Sequence, residues 1–266
     1  MEKTLKQIRT IFISFLILII LWQLAINFGG MNTALFPSPL KVFNAFVGLA
    51  TKGLSGSTTD AILWVHIKDS LLRFLIGYFL AAILGISFGL LLGWFPKAFS
   101  YVNPIVQLIR PIAPVAWLPF LVLVIGIGNM PAIAIIFIAG FFPILLSTVK
   151  AVVNVDPVYL KVAKTFGLTQ LQTIFKIVLP AAFPQIFHSL HLALGTCWIF
   201  LVSGEMVGSQ TGLGFLLMDA KNTMRPDALL AVIITIGLIG LILDHAIGLL
   251  EKTIRKTWGF DMTPVK

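Results

Sequence analysis

Apolar residues in this chain fall in six long runs, and shorter segments between them hold most of the charged and polar side chains. A helical run of about 20 apolar residues is long enough to cross about 30 Å of hydrocarbon. The pattern therefore predicts an all-α, polytopic membrane protein with about six transmembrane helices. We place these spans at residues 11–28, 69–94, 103–126, 131–149, 182–203 and 229–250.

The first connection, between the first two spans, contains a predicted helix. Ser38 suits an N-cap, and a proline follows it directly, where its missing N–H costs nothing. Leu40, Phe43, Val47 and Ala50 then fall on one face at helical spacing. This pattern is typical of a short helix that lies in the membrane interface.

Two spans carry unusual residues. In the second span, Gly77, Gly85, Gly89 and Gly93 line one face, which favours close approach of another helix in lipid, unless the glycines are simply tolerated in a membrane helix. The third span contains several prolines and one arginine, and backbone of this kind is tolerated only where it is buried in protein or faces a water-filled cavity. We therefore expect an irregular third span; its prolines are Pro104, Pro111, Pro114 and Pro119.

Composition supports a single membrane domain over residues 1–266. The chain is 58% hydrophobic and only 11% charged, whereas a soluble domain is usually about 25% charged. The net charge of +9 is explained by membrane topology, so we expect no nucleic-acid partner. The single cysteine, Cys197, excludes an internal disulfide. Because Gly-Gly-Met-Asn follows the first run, we expect a retained span rather than a cleaved signal peptide.

The connection between the fourth and fifth predicted spans, at about residues 150–182, is studded with polar residues. Asp156 and Pro157 predict the start of a short helix, and Gly167 suits the position that ends it, because glycine tolerates positive φ. Thr169 and Gln172 then form the pattern of a capping box. We expect a second short helix that stops at Pro180.

The same connection resembles the EAA loop of bacterial ABC-importer permeases. The matching positions are Ala163 and Gly167, followed after nine residues by Ile177, Leu179 and Pro180. The family pattern opens Glu-Ala-Ala, whereas this chain has Lys161, Val162 and Ala163 there. In the family, the loop is a cytoplasmic coupling helix that docks in a groove of the ATPase. The resemblance thus implies an ATPase-docking segment formed by these seven residues.

Further segments extend the resemblance over most of the chain. Residues 36–39 and 110–119, together with Glu205 and residues 211–214, are similar to permeases of the sulfonate, nitrate and taurine type. The resemblance implies a permease subunit that acts with a second copy of itself, separate ATPase subunits and an extracytoplasmic binding protein. It implies a bacterial inner-membrane location and mechanical coupling to the ATPase, with ATP and magnesium bound by that partner and no cofactor in this chain.

Basic residues give an orientation for six spans. Twelve of the 19 Lys and Arg residues fall on the side of the two termini and of the 150–182 connection, and five fall on the opposite side. The positive-inside rule therefore places both termini and this connection in the cytoplasm.

Four residues are candidates for the translocation path: Arg110, Trp117, Trp198 and Glu205. Arg110 would attract an anionic solute, or would simply extend its charge to the interface. Glu205 would gate the cavity or contact a binding protein, or would be a satisfied interfacial carboxylate. The two tryptophans would line the path, or would serve in packing.

Other charged side chains have plainer interpretations. Asp69 and Arg73 stand one helical turn apart and are able to pair. Asp244 would pair with a basic residue in the bundle, or would lie exposed at a helix end. His188 and His191 share a helix face, but no further ligand is near them in the sequence, and we predict no metal site.

Other function classes lack their expected features. The sequence contains no Gly-x-x-x-x-Gly-Lys-Ser/Thr loop, so ATP would have to be bound by a separate chain. We expect no enzymatic activity, because the spans show no cluster of polar catalytic groups. A secondary transporter or channel without an ATPase remains the alternative, although clear intramembrane carboxylates and inverted repeats are not evident.

Overall fold

A computed structural model of the protein describes residues 2–28, 35–54 and 62–257, and the regular elements within these ranges are helices. They are α1 (Glu2–Phe28), α2 (Pro39–Lys52), α3 (Leu63–Trp94), α4 (Pro96–Ile109), a 3₁₀ turn (Pro114–Trp117), α5 (Leu118–Ile125), α6 (Asn129–Val153), α7 (Pro157–Thr165), α8 (Gln170–Thr173), a π-helical turn (Ile174–Val178), α9 (Leu179–Gly208), α10 (Leu213–Asn222) and α11 (Pro226–Thr257).

The helices confirm the all-α membrane architecture. Within the described ranges, four helices are long and apolar enough to cross a membrane, and a bent pair brings the number to five if it counts as one span. The segment predicted as the first span is helical, but it is not among the helices that pass this length test over the described residues. A sixth crossing by this helix therefore stays a prediction.

The chain divides into two compact units. One comprises residues 1–67 and 216–237, and the other comprises residues 68–215 and 238–266. The helices α3 and α11 each contribute residues to both units. Organisation of the whole chain as one domain stays a prediction.

The glycine face of α3 packs directly against α6, as its spacing predicts. A Cβ added at Gly89 would lie 2.5 Å from the Cβ of Thr148, and one at Gly77 would lie 2.7 Å from that of Ile136. Real side-chain carbons do not approach so closely, so only glycine allows this helix separation. Gly85 and Gly93 meet the same helix in the same way.

The third predicted span is broken where its prolines predict. The helix α4 ends at Ile109, and the segment Pro114–Ile125 continues at an angle of 81° to it. Pro114 opens the 3₁₀ turn at this break, while Pro104 is accommodated inside α4. The bend carries the chain away from the axis of α4, so the region is a broken span or a re-entrant segment.

The predicted stop at Pro180 is wrong. The chain continues as helix from Gln170 to Gly208, and Pro180 lies in the first turn of α9. Immediately before it, residues Ile174–Val178 form a π-helical turn, in which the N–H of Leu179 donates to the carbonyl of Ile174. The wider turn shifts the hydrogen-bond pattern ahead of the proline, so the helix persists where a regular α-helix would be disrupted.

Candidate coupling and translocation site

The helix α7 begins as its sequence predicts. Asp156 Oδ1 accepts a hydrogen bond of 2.8 Å from the N–H of Val158, and Pro157 occupies the first helical position. This cap satisfies one N–H that the first turn would otherwise leave unpaired. The start of the segment is therefore fixed by local chemistry.

The end of α7 is a Schellman motif centred on Gly167. This residue has φ of +67°, and its N–H donates to the carbonyl of Lys164 at 3.0 Å. The N–H of Leu168 donates to the carbonyl of Ala163 at 3.1 Å. Both bonds match the motif, and the positive φ explains why glycine stands here.

A complete capping box starts the next helical segment two residues later. The Thr169 Oγ1 accepts from the N–H of Gln172 at 3.3 Å, and the Gln172 side chain accepts from the N–H of Thr169 at 3.0 Å. The turn between α7 and α8 is thus held from both sides by reciprocal bonds. A short, closely capped turn of this kind fixes the two helices relative to each other.

The α7–α8 segment has one buried side and one exposed side. Ala163 is only 1% exposed, whereas Phe166 is 77% exposed and Leu171 is 68% exposed. A large exposed apolar patch marks a site of interaction with another protein or with the membrane. We define the exposed apolar face as Val158, Tyr159, Val162, Phe166, Leu171 and Phe175.

The seven predicted docking residues divide between these sides. Lys161, Val162 and Gly167 lie at the surface, and Ala163 is buried. Ile177, Leu179 and Pro180 are half-buried in the π-helical turn and the start of α9. Leu179 packs against a buried cluster that includes Val152, Val178 and Ile186, so this end of the segment joins it to the bundle.

Five members of the exposed apolar face were missed by sequence reasoning, because the family pattern lies at other positions. The signal that finds them is their apolar character at helical spacing within an otherwise polar connection. Only Val162 belongs to both sets; the five are Val158, Tyr159, Phe166, Leu171 and Phe175.

A buried ion pair joins α3 to the last turns of α9. Arg73 Nη1 lies 2.6 Å from Glu205 Oε1, and Glu205 is 0% exposed. Ser70 donates to the same carboxylate with its Oγ 2.8 Å from each oxygen, and the N–H of Gly214 donates to it at 3.0 Å. Hydrogen bonds from the protein therefore replace those that water would give to this buried carboxylate.

Each nitrogen of the Arg73 guanidinium also has a hydrogen-bond partner. It donates to the carbonyl of Thr211 at 2.8 Å, to Thr211 Oγ1 at 2.6 Å and to Asn129 Oδ1 at 2.9 Å. A Cβ at Gly212 would collide with this pair, which explains the glycine and its φ of +110°. The cluster fastens α3, α6, α9 and the following turn together.

The predicted pairing of Arg73 with Asp69 is wrong, since Arg73 forms its ion pair with Glu205 instead. Asp69 is close to Arg73 in the sequence. In the folded chain, however, Asn129, Glu205 and Thr211 accept hydrogen bonds from the three nitrogens of the guanidinium. The burial of Glu205 does not favour contact with a solute, and its place in the translocation path stays a prediction.

The remaining path candidates lie in different surroundings. Trp198 is buried at 6% exposure and meets Phe74 edge-on, while its ring lies against Gly240. Trp117 is half-buried beside Phe120 at the 3₁₀ turn. For both tryptophans, a role in the translocation path stays a prediction. The contacts of Trp198 with Phe74 and Gly240 support its other interpretation, a role in packing.

Arg110 is exposed on a cleft of about 500 Å³ between α4 and α6, which we call the α4–α6 cleft. Polar residues at helical spacing face it from both helices, and the described residues that line it include two cations and no carboxylate. Such a lining favours an anion over a cation. Its polar and charged members are Asn103, Gln107, Arg110, Ser147, Lys150 and Asn154.

The basic partner of Asp244 is a histidine. His191 Nε2 lies 2.9 Å from Asp244 Oδ1, and its Nδ1 lies 3.1 Å from Glu251 Oε2. The histidine therefore joins α9 to α11 through two carboxylates. His188, one turn earlier, is exposed.

Comparison with known proteins identifies the protein family to which this chain belongs. Residues 81–256 match the family described as "Binding-protein-dependent transport system inner membrane component". The matched range includes the whole of α6 to α9 and most of α11. The chain belongs to this family. It is accordingly a permease subunit of an ABC importer, embedded in the inner membrane.

Individual relatives cover nearly the whole permease. The nitrate import permease protein NrtB of Leptolyngbya laminosa is 34% identical over 95% of this chain and 89% of its own length. The taurine transport system permease protein TauC of Escherichia coli strain K12 is 31% identical over 90% of this chain and 86% of its own length. Each match therefore spans most of the relative's own length.

A solved structure shares the fold of the permease. A chain of the MetNI methionine ABC transporter, solved in inward-facing conformations, superimposes with a TM-score of 0.61. The match covers 74% of the permease and 97% of that chain, at 20% sequence identity. The permease therefore shares its helical fold with that chain.

Proposed function

We propose that this permease carries a small anion into the cell and is driven by a separate ATPase that docks on the exposed apolar face. The observation that carries the proposal is the α7–α8 segment itself. Its helices are capped at three points, and its outer side presents large apolar side chains beyond the core of the bundle. A rigid segment with an exposed apolar surface is suited to binding another protein.

The connection to the bundle makes this segment suitable for transmitting force. Ala163 is buried, and the following π-helical turn leads without a break into α9. Val178 and Ile186, buried in one cluster with Val152, tie this stretch to α6. Because packed elements move as units, displacement of the exposed apolar face would shift α6 and α9 together.

The residues that line the α4–α6 cleft are the basis for the proposed class of solute. Arg110 and Lys150 place two positive charges on it, and three amides and a serine add hydrogen-bond donors. The two relatives described above are named for nitrate and taurine, which both carry an anionic group. A sulfonate, nitrate, taurine or a similar small anion fits this chemistry, with selection among them left largely to the extracytoplasmic binding protein.

Family membership supports a proposal for the assembly. We propose two copies of the permease around one path, with two ATPase subunits on the cytoplasmic side and a binding protein on the outer side. The basic residues support an orientation with both termini in the cytoplasm. In this orientation the exposed apolar face lies on the cytoplasmic side, together with the ATPase.

Reconstitution in liposomes tests the function. We expect uptake of a labelled anion from a panel of nitrate, taurine and an alkanesulfonate to require ATP, the ATPase and the binding protein together. The double variant Arg110→Gln/Lys150→Gln should lower this uptake by about tenfold, since the cleft would no longer concentrate anions. The control Lys221→Gln, at an exposed position outside the cleft, should leave it unchanged. Equal uptake without ATP would instead establish a secondary transporter or channel.

The conformation of Gly167 gives a second test of coupling. Gly167→Val places a β-branched residue at a φ of +67°, where strain of about 1–2 kcal/mol is expected. No atom lies within 4 Å of an added Cβ, so any defect comes from the backbone and not from a clash. We expect ATP-driven uptake to fall severalfold, whereas Gly167→Asn should remain close to wild type because asparagine tolerates this region. Full activity of the valine variant would show that this turn does not couple the subunits.

A further inference from the structure

A cationic cleft lies beside α2, within the unit formed by residues 1–67 and 216–237. Its volume is about 410 Å³. Polar and charged side chains from α2 form one wall, and the start of α11 forms the other. The residues used below are Lys41, Asn44, Gly48, Lys52, Arg225 and Asp227.

The charges in this cleft do not balance. Arg225 donates to the carbonyl of Leu54 and, at 3.0 Å, to the carboxylate of Asp227, so this pair is largely neutral. Lys41 and Lys52 are both exposed, and among the side chains that the structure describes no carboxylate lies within 4 Å of their ammonium groups. Two positive charges therefore face the cleft without a described counter-ion.

The surface of α2 is divided into three stripes. One stripe is buried in the unit, and a second stripe is apolar and exposed, with Phe43 at 62% and Leu40 at 69%. At 100° per residue, Lys41, Asn44, Gly48 and Lys52 fall between these two stripes. The cationic cleft thus opens directly onto exposed apolar surface; its buried border is Val42, Ala45 and Leu49, and its exposed border is Leu40, Phe43 and Val47.

From this juxtaposition we infer that the cleft binds the phosphodiester headgroup of an anionic phospholipid, with the acyl chains along Leu40, Phe43 and Val47. The lysines supply the charge and Asn44 supplies an amide donor to the phosphate oxygens. The adjoining apolar stripe covers hydrocarbon, which a soluble anion or an acidic protein side chain does not need. A zwitterionic lipid brings its own ammonium, and the two lysines repel it.

Competition between lipids tests the assignment. The full permease is purified and incubated with equal amounts of phosphatidylglycerol and phosphatidylcholine, and the retained lipids are counted by native mass spectrometry. We expect a preference for phosphatidylglycerol that falls by about tenfold or more in Lys41→Gln/Lys52→Gln. The control Lys221→Gln/Lys252→Gln removes the same charge from exposed positions outside the cleft and should keep the preference.

A third variant, Gly48→Glu, changes the wall of the cleft and leaves both lysines in the sequence. A Cβ at Gly48 meets no atom within 4 Å, and Gly48→Glu adds bulk and a negative charge to the wall, one helical turn from Lys52. The same loss of preference is expected. An unchanged preference in both cleft variants, or an equal loss in the control, would overturn the proposal. Loss of binding-protein docking in the cleft variants, with the lipid preference intact, would also overturn it.

Discussion

Replacing Arg73 with alanine is expected to lower the free energy of unfolding by about 3–5 kcal/mol, because it leaves a buried carboxylate without its cation. Glu205 has no exposure to solvent, and Arg73 Nη1 is its partner at 2.6 Å. The same change leaves Thr211 and Asn129 without their donor. Unfolding by denaturant in detergent micelles, followed by tryptophan fluorescence, measures the loss.

The matched control for this experiment is Lys68→Ala. Lys68 is exposed and lies five residues earlier, so it loses the same charge without opening a buried site. We expect its effect to stay within about 0.5 kcal/mol. Similar unfolding curves for Arg73→Ala and Lys68→Ala would show that the cluster contributes little to stability. A double-mutant cycle with Glu205→Gln would then isolate the pair itself.

Placing a charge on the exposed apolar face is expected to abolish coupled transport. Val162→Asp/Phe166→Asp puts two carboxylates where an apolar partner surface would have to be buried, and each buried charge without a partner is costly. We expect ATP-driven uptake in liposomes to fall by at least about tenfold, the equivalent of 1.4 kcal/mol of lost binding. Because both side chains are exposed, the fold of the permease should be retained.

Lys164→Asp is the control for this variant. Lys164 is exposed on α7, on the side of the helix opposite Val162 at 100° per residue. Its change in charge is larger than that of either substitution on the face. Uptake close to wild type in the control, with loss in the double variant, would separate a specific surface from a general charge effect.

Local chemistry explains why much of the α7–α8 segment was predictable. Asp156, Gly167, Thr169 and Gln172 each act on backbone groups within five residues, so their roles can be inferred from spacing alone. The glycine face of α3 was predictable for a similar reason, since small residues at helical spacing have few other uses in lipid. Contacts of this kind do not depend on how distant parts of the chain meet.

Other features depend on folding over long distances. Arg73 and Glu205 are separated by 132 residues, and nothing near either residue indicates the other. The π-helical turn before Pro180 was also not predictable, because proline usually ends a helix and the compensating shift arises in the preceding residues. The exposed apolar face was overlooked because the family pattern lies at other positions, although apolar residues at helical spacing mark the face.

Retention of the ATPase during purification tests the central claim most directly. The permease, with a tag, is expressed together with its ATPase in the wild type, in Val162→Asp/Phe166→Asp and in Lys164→Asp, and the ATPase that co-purifies is measured. The account predicts full retention in the wild type and the control, and loss of at least about tenfold in the double variant while the permease remains folded. Equal retention in all three would contradict the account and make α7–α8 a simple connection between membrane helices.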